Sequence, residues 1–225
     1  MMPRHPGPTG YVFQVANAEP GEDLIGVGAD LQPATLITAY RSGAFPMGLG
    51  RGGRNPMGWW SPDPRGVIRP AEIHVSRSLR RSMRHFDVTI DVAFEQVMLG
   101  CADPARTGRW ITPAILRAYR ELHRMGWAHS IEVWQESRLV GGLYGVAIGG
   151  LFAGESMFHR ATDASKAALV TLAEMLVAEG DSRRIIDVQW VTPHLSSLGA
   201  VEVTRETYLT ALTAALDAPL PERWS

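Results

Sequence analysis

The sequence predicts a mixed α+β or α/β layer sandwich, and two patterns carry that expectation. Three apolar runs, over 130–134, 139–148 and 151–158, follow one another with short turn signals between them, as in an antiparallel meander. A helical pattern, one more apolar run and a last helical pattern come next, so helices are available to cover a sheet. Composition agrees. The 225 residues, 45% hydrophobic and 20% charged, exclude collagen-like, coiled-coil and disordered architectures. At ~150 residues per domain the length allows one large domain, or one with a small companion.

Residues 1 to about 66 are loop-rich. Within them Pro33 opens a helix with Leu36, Ile37 and Tyr40 on one face and Gly43 just past its end. Residues 45–65, crowded with Gly, Pro and Arg around Trp59-Trp60, read as an ordered but irregular loop. Ser76 can cap a short helix reaching His85. Val88 and Ile90 mark a strand, after which Asp91 caps a helix that buries Phe94, Val97, Met98 and Cys101. Thr112-Pro113 opens a helix with Ile115, Tyr119 and Leu122 at i, i+4 and i+7, stopped by Gly126. In the meander Gln135-Glu136-Ser137 and Gly149-Gly150 are the turns, the second suited to a tight hairpin. A long helix over 164–179 buries Leu169, Leu172 and Leu176 and stops at Gly180. A strand over 184–191 and a helix carrying Leu209, Leu212 and Leu216 complete the chain.

Formal net charge is −1, so a polyanion could be met only by a local patch. Lys166 is the only lysine; every other basic side chain but histidine is arginine. Cys101 is the only cysteine, which excludes an intrachain disulfide and a thiolate metal cluster. The N-terminus lacks an apolar export core, and the longest charge-free stretch, 139–154, is shorter than the ~20 residues of a membrane helix. A cytoplasmic, soluble protein without a membrane partner is expected. No phosphate-binding glycine loop, dinucleotide fingerprint or zinc signature occurs.

Four constellations could carry chemistry. Arg77, Arg80, Arg81 and Arg84 fall on one helical face with no acid among them, a pattern suited to phosphate oxygens or to a merely solvated surface. Trp59, Trp60, Trp110 and Trp127 lie in or beside loops and helix ends, where an indole can stack on a base or cap a core. Asp187 and Gln189 share one face of an apolar strand. There they can hydrogen-bond each other and present the amide to a substrate, or satisfy a nearby loop. Glu155 ends another apolar strand, facing a cationic ligand or pairing with an arginine such as Arg160. His194, near Asp187 in sequence, could titrate near neutrality.

Several words of the chain resemble, in order, those of the bacterial leucyl/phenylalanyl-tRNA–protein transferase family. They include Trp59-Trp60-Ser61-Pro62-Asp63-Pro64-Arg65, Trp110-Ile111-Thr112-Pro113, Gly154-Glu155-Ser156-Met157-Phe158 and Ile186-Asp187-Val188-Gln189, and the likeness runs from about Leu24 to Tyr208. The resemblance implies a small N-terminal domain (1–66) beside a catalytic domain (67–225) with the GNAT fold of acyl-CoA-dependent N-acetyltransferases. It implies transfer of Leu or Phe, and less readily Met, from Leu-tRNA or Phe-tRNA to proteins beginning with Arg or Lys, marking them for N-end-rule degradation, with no metal or organic cofactor. A monomer is expected.

By the same resemblance, Asp187 and Gln189 handle the proton of the attacking amine. Trp110 and Glu155 lie at the aminoacylated adenosine. Leu143, Phe152, Met157, Leu169, Leu172 and Ile186 take the Leu or Phe side chain, and the arginines at 77, 80, 81 and 84 take the acceptor stem. Where a family member has Phe-Pro-Trp, this chain has Phe45-Pro46-Met47. Stacking at Met47 is therefore weaker, or supplied by Trp59 or Trp60. Thr192 stands where that member has Asn, so no polar role is expected there. A CoA-dependent acetyltransferase is the rival enzyme, but the junction His159-Arg160-Ala161-Thr162-Asp163 has no glycine to cradle pyrophosphate. A non-catalytic RNA-binding module would leave Asp187, Gln189 and the apolar pocket idle.

Overall fold

The computed structural model describes residues 2–106 and 108–225. Near the N-terminus a three-stranded antiparallel sheet is formed by β1 (Leu24–Val27), β2 (Phe45–Gly50) and β3 (Arg54–Trp60), in the order β1-β3-β2. Helix α1 (Pro33–Arg41) joins β1 to β2. The β2–β3 hairpin corrects the irregular loop expected over 45–65. Gly and Pro obscure its strand pattern, whereas cross-strand pairing, Phe45 opposite Trp60 and Met47 opposite Gly58, orders it. Pro46 is tolerated because β2 is an edge strand. In the hairpin turn Gly53 has φ +76°, and a Cβ there would lie 2.1 Å from the Trp110 carbonyl oxygen, so glycine alone lets the turn meet that loop.

The larger sheet has seven strands: β4 (Arg65–Ile68), β5 (Asp87–Ile90), β6 (Ala128–Gln135), β7 (Arg138–Ile148), β8 (Leu151–His159), β9 (Ile185–Gln189) and β10 (Val201–Val203). Their order is β10-β4-β9-β8-β7-β6-β5, antiparallel throughout except for β8 beside β9. A parallel neighbour needs a crossover, which α5 (Ala164–Val177) provides. Strand β4 straddles the domain boundary expected at residue 66, and all of it belongs to this sheet.

Helices α2 (Arg77–Met83), α3 (Phe94–Cys101), α4 (Pro113–Arg124), α6 (Pro193–Ser196) and α7 (Arg205–Leu216) complete the layers. Alternation along the strands sends side chains to opposite faces. Leu151, Ala153 and Ile185 join a core with residues of α1, α3, α4 and α7. Phe152 and Ile186 join a second core with α5 and Leu79 of α2. Local chemistry sets several ends. The Ser76 hydroxyl accepts the Leu79 N–H at 3.2 Å and the Thr112 hydroxyl accepts that of Ile115 at 3.4 Å.

Other ends differ from expectation. The first of these helices stops at Met83, short of His85, and the helix begun at Ala164 stops at Val177. Asp91 does not cap α3; at φ +60° it turns back to β6, accepting the Ser130 N–H at 2.8 Å and lying 2.7 Å from His129 Nδ1. Among the described residues no helix is long and apolar enough to cross a membrane, and no group of three or more His, Cys, Asp or Glu is placed to hold a metal ion.

Candidate active site

A cavity of about 260 Å³ opens between β7, β8, β9 and α5. Leu143, Phe152, Met157, Leu169, Leu172 and Ile186 all line it, joined by Val188 and Leu195. Leu169 and Leu172 sit three residues apart on α5 and so share the face turned to the sheet. The polar lining includes Glu155 and Gln189. Thr192 also borders the cavity, but its hydroxyl caps α6 by accepting the Leu195 N–H at 3.2 Å. His194 lines the cavity too, and its Nε2 is buried without a protein partner among the described residues. Burial, with Lys166 and His159 nearby, holds its pKa below the ordinary histidine value, contrary to a titration at neutrality.

Behind Gln189 lies an ion pair absent from the sequence reading. Arg65 Nε donates to Asp187 Oδ1 at 2.8 Å and Nη2 donates to Oδ2 at 2.6 Å, with both side chains 1% exposed. Such a bidentate fork is the strongest arrangement these groups can make. The Tyr208 hydroxyl donates to Oδ2 at 2.9 Å, and the Gln189 N–H donates to Oδ1 at 3.0 Å. The guanidinium also lies 4.3 Å from the Tyr208 ring centre and donates to the Gly43 carbonyl at 3.0 Å. Burial disfavours its charge, but Asp187, together with Tyr208 and Glu155, raises the Arg65 pKa on balance. Burial likewise raises that of Tyr208.

The expected side-chain bond between Asp187 and Gln189 does not form. Gln189 has φ +59°, which ends β9 there and not at Val191 as expected. Its amide Nε2 instead donates, at 3.4 Å, to the main-chain carbonyl of Asp187. That leaves Gln189 Oε1 without a protein partner among the described residues.

Glu155 is not paired with Arg160. It accepts from the Tyr40 hydroxyl at 2.6 Å through Oε1 and from the Tyr119 hydroxyl at 2.9 Å through Oε2, and the two hydroxyl oxygens lie against each other. Arg160 instead donates to the Leu139 carbonyl at 3.2 Å. Burial pushes the Glu155 carboxyl up to about 7; Asp187 adds to the rise, while the two hydroxyls and Arg65 oppose it. Burial also holds both tyrosines well above the ordinary phenol value, so they stay protonated donors.

The family profile described as leucyl/phenylalanyl-tRNA protein transferase matches residues 67–213, and the profile of its N-terminal domain matches 29–63. The chain belongs to this family of aminoacyltransferases. A leucyl/phenylalanyl-tRNA–protein transferase of Stutzerimonas stutzeri is 51% identical over 216 residues, covering 94% of this chain and 93% of the relative. Those of Chromohalobacter salexigens and Klebsiella pneumoniae are 52% and 48% identical, covering 88% and 89% of this chain and 77% and 85% of the relatives. Among solved structures, a GCN5-related N-acetyltransferase-like protein of Streptococcus suis aligns with a TM-score of 0.37 at 11% identity, covering 63% of this chain and 57% of that one. That likeness is too slight to decide the fold. Arg65, the partner of Asp187, falls between the two matched segments of the family.

The remaining family positions are scattered around this centre. Trp59 needs correction: it is 2% exposed, its indole donates to the Gly28 carbonyl at 2.8 Å, and its ring packs 4.7 Å from Phe13, so no face is open to a base. Trp60, half-buried, donates to the carbonyl of half-buried Met47 at 2.8 Å. Trp110, also half-buried, precedes α4 and packs against the core. Trp190, singled out by no pattern, is 38% exposed beside Gln189, with its ring edge-on to Phe45 and Trp60. Arg77, Arg80, Arg81 and Arg84 are all exposed, border one depression and take part in no ion pair among the described residues.

Proposed function

We propose that this protein transfers Leu or Phe, and less readily Met, from aminoacyl-tRNA to the N-terminal Arg or Lys of acceptor proteins by direct aminolysis. On this reading it is a cytoplasmic monomer that marks its acceptors for N-end-rule degradation and uses no cofactor. A GNAT-like catalytic domain beside a small N-terminal domain fits the mixed sheet with one parallel crossover. The observation that carries the proposal is the cavity, apolar along its walls and bounded by Glu155 and Gln189. It is smaller than the ~300–1,000 Å³ of drug-sized sites and suits a single amino-acid side chain.

The aminoacyl ester is already activated, so the task left is to bring an unprotonated amine to its carbonyl carbon. Positioning can supply roughly 7–11 kcal/mol of that barrier. Gln189 Oε1, without a protein partner among the described residues, is suited to accept an N–H of the amine. Asp187 holds Gln189 from behind, and because Arg65, Tyr208 and the Gln189 N–H occupy its oxygens, it is a poor proton acceptor. Glu155 is the better one, because it lines the cavity, its partners are neutral hydroxyls and not a cation, and burial pushes its carboxyl up to about 7. As the C–N bond forms and the ester C–O bond breaks, the amine proton passes to the carboxylate and returns to the departing ribose oxygen. The exposed arginine face of α2 and half-buried Trp110 and Met47 serve the tRNA end in this reading.

Incubating the protein with leucyl-tRNA and a peptide beginning with Arg should add the mass of one leucine. No addition, together with acetylation from acetyl-CoA, would overturn the proposal in favour of an acetyltransferase. Leu172→Phe should narrow the cavity and lower kcat/KM for Phe relative to Leu by roughly tenfold, within the ~1–3 kcal/mol that one pocket change is worth. A competition between the two charged tRNAs, with a melting curve to check the fold, measures it.

A further inference from the structure

The basic face of α2 is not the only cationic patch. A groove of about 470 Å³ is bordered by Arg51 in the β2–β3 turn, Arg54 at the start of β3 and Arg109 in the loop before α4. All three side chains are exposed, and none makes an ion pair or hydrogen bond among the described residues. In a chain of net charge −1 this is a local concentration, not a reflection of general basicity. Three guanidiniums facing one groove without an acid repel one another until an anion joins them, and their planar forks match phosphate oxygens.

The groove is fixed relative to the cavity. The Gly53 backbone lies directly against the carbonyl of Trp110, which joins the hairpin turn to the loop carrying Arg109. On the same loop Arg106 donates to the carbonyls of Cys101 at 2.9 Å and Met157 at 2.7 Å, and Met157 lines the cavity. Along β2, Arg51 follows Met47 by four residues, at most ~13 Å at ~3.3 Å per residue. That is about the length of four stacked nucleotides at ~3.4 Å each.

We propose that Arg51, Arg54 and Arg109 bind the phosphates of the single-stranded 3′ end of the tRNA, between its terminal adenosine and the paired stem. The inference rests on the functional reading above and adds to it a second RNA contact, distinct from α2. The test compares the wild-type protein with R51A/R54A/R109A, whose replaced side chains are exposed and make no hydrogen bond or ion pair among the described residues. Affinity for a whole tRNA, and for one trimmed of its last four nucleotides, is measured over a range of salt concentrations.

With whole tRNA the triple variant should show a slope of log affinity against log salt shallower by about 2, three contacts at ~0.7 each. With trimmed tRNA the two proteins should bind alike. An unchanged slope with whole tRNA, or the same loss with both RNAs, overturns the inference. Wild-type protein that binds neither RNA overturns the functional reading itself, and this inference with it.

Discussion

Arg65→Met is expected to destabilise the fold by about 3–5 kcal/mol, because it leaves the Asp187 carboxylate 1% exposed and without its cation. Denaturant unfolding of the variant measures this directly. The same substitution should lower kcat for leucyl transfer while leaving KM for aminoacyl-tRNA nearly unchanged. The reason is geometric: the Gln189 N–H is tied to Asp187 Oδ1, and Gln189 holds a left-handed backbone with φ +59° that needs support. Asp187→Asn keeps the shape and an oxygen for that N–H but leaves Arg65 as the unpaired charge, so it should also be destabilising. A variant at position 65 with wild-type stability and full kcat would show that Gln189 is held by something else.

Glu155→Gln is expected to lower kcat by about 10²–10⁴-fold, the range for losing a positioned proton acceptor. Its signature is the pH profile. Burial raises the wild-type carboxyl from 4.5 to about 7, so the carboxylate needed to take a proton is lost as pH falls through 7. Glu155 should therefore lower wild-type kcat by about tenfold per pH unit below that point, whereas the Glu155→Gln variant has no such limb. An acceptor amine titrating near ~8 contributes its own limb to both proteins.

Stability should move in the opposite sense. A carboxyl whose folded pKa is raised binds its proton more tightly when folded, so its contribution is fullest below about 4.5 and is lost as pH rises through about 7. The variant should lack that decline in a melting series between about pH 4 and 8. A limb near 7 that persists in the variant would assign the proton to another group.

Much of the frame is legible without coordinates. The helix opened by Thr112-Pro113 and the three strands of the meander occur close to where period and turn residues put them, because those signals are local. The six apolar residues picked by resemblance line one cavity. The three-residue spacing on α5 puts Leu169 and Leu172 on one face, whereas Phe152 and Met157, five residues apart on β8, share a side only because the β7–β8 register shifts between Tyr144 and Gly145. The β2–β3 hairpin escaped notice because its Gly and Pro content imitates a loop. Trp59 read as available for stacking because sequence does not reveal that Phe13 packs against its ring.

Residue order alone is enough to place the chain in its family, to lay out the run of helices and strands, and to pick the residue types gathered for chemistry. The electrostatic state of the site is settled by the packed fold. Asp187 meets Arg65 across 122 residues, and Glu155 meets Tyr40 across 115 and Tyr119 across 36. Periodicity marks Tyr40 and Tyr119 as core residues but is silent about their hydroxyls, and nothing near Arg65 in sequence marks it as buried. A side chain's burial and its partners depend on which distant segments the sheet brings together, and those contacts decide which carboxylate is tied to a cation and which can take a proton.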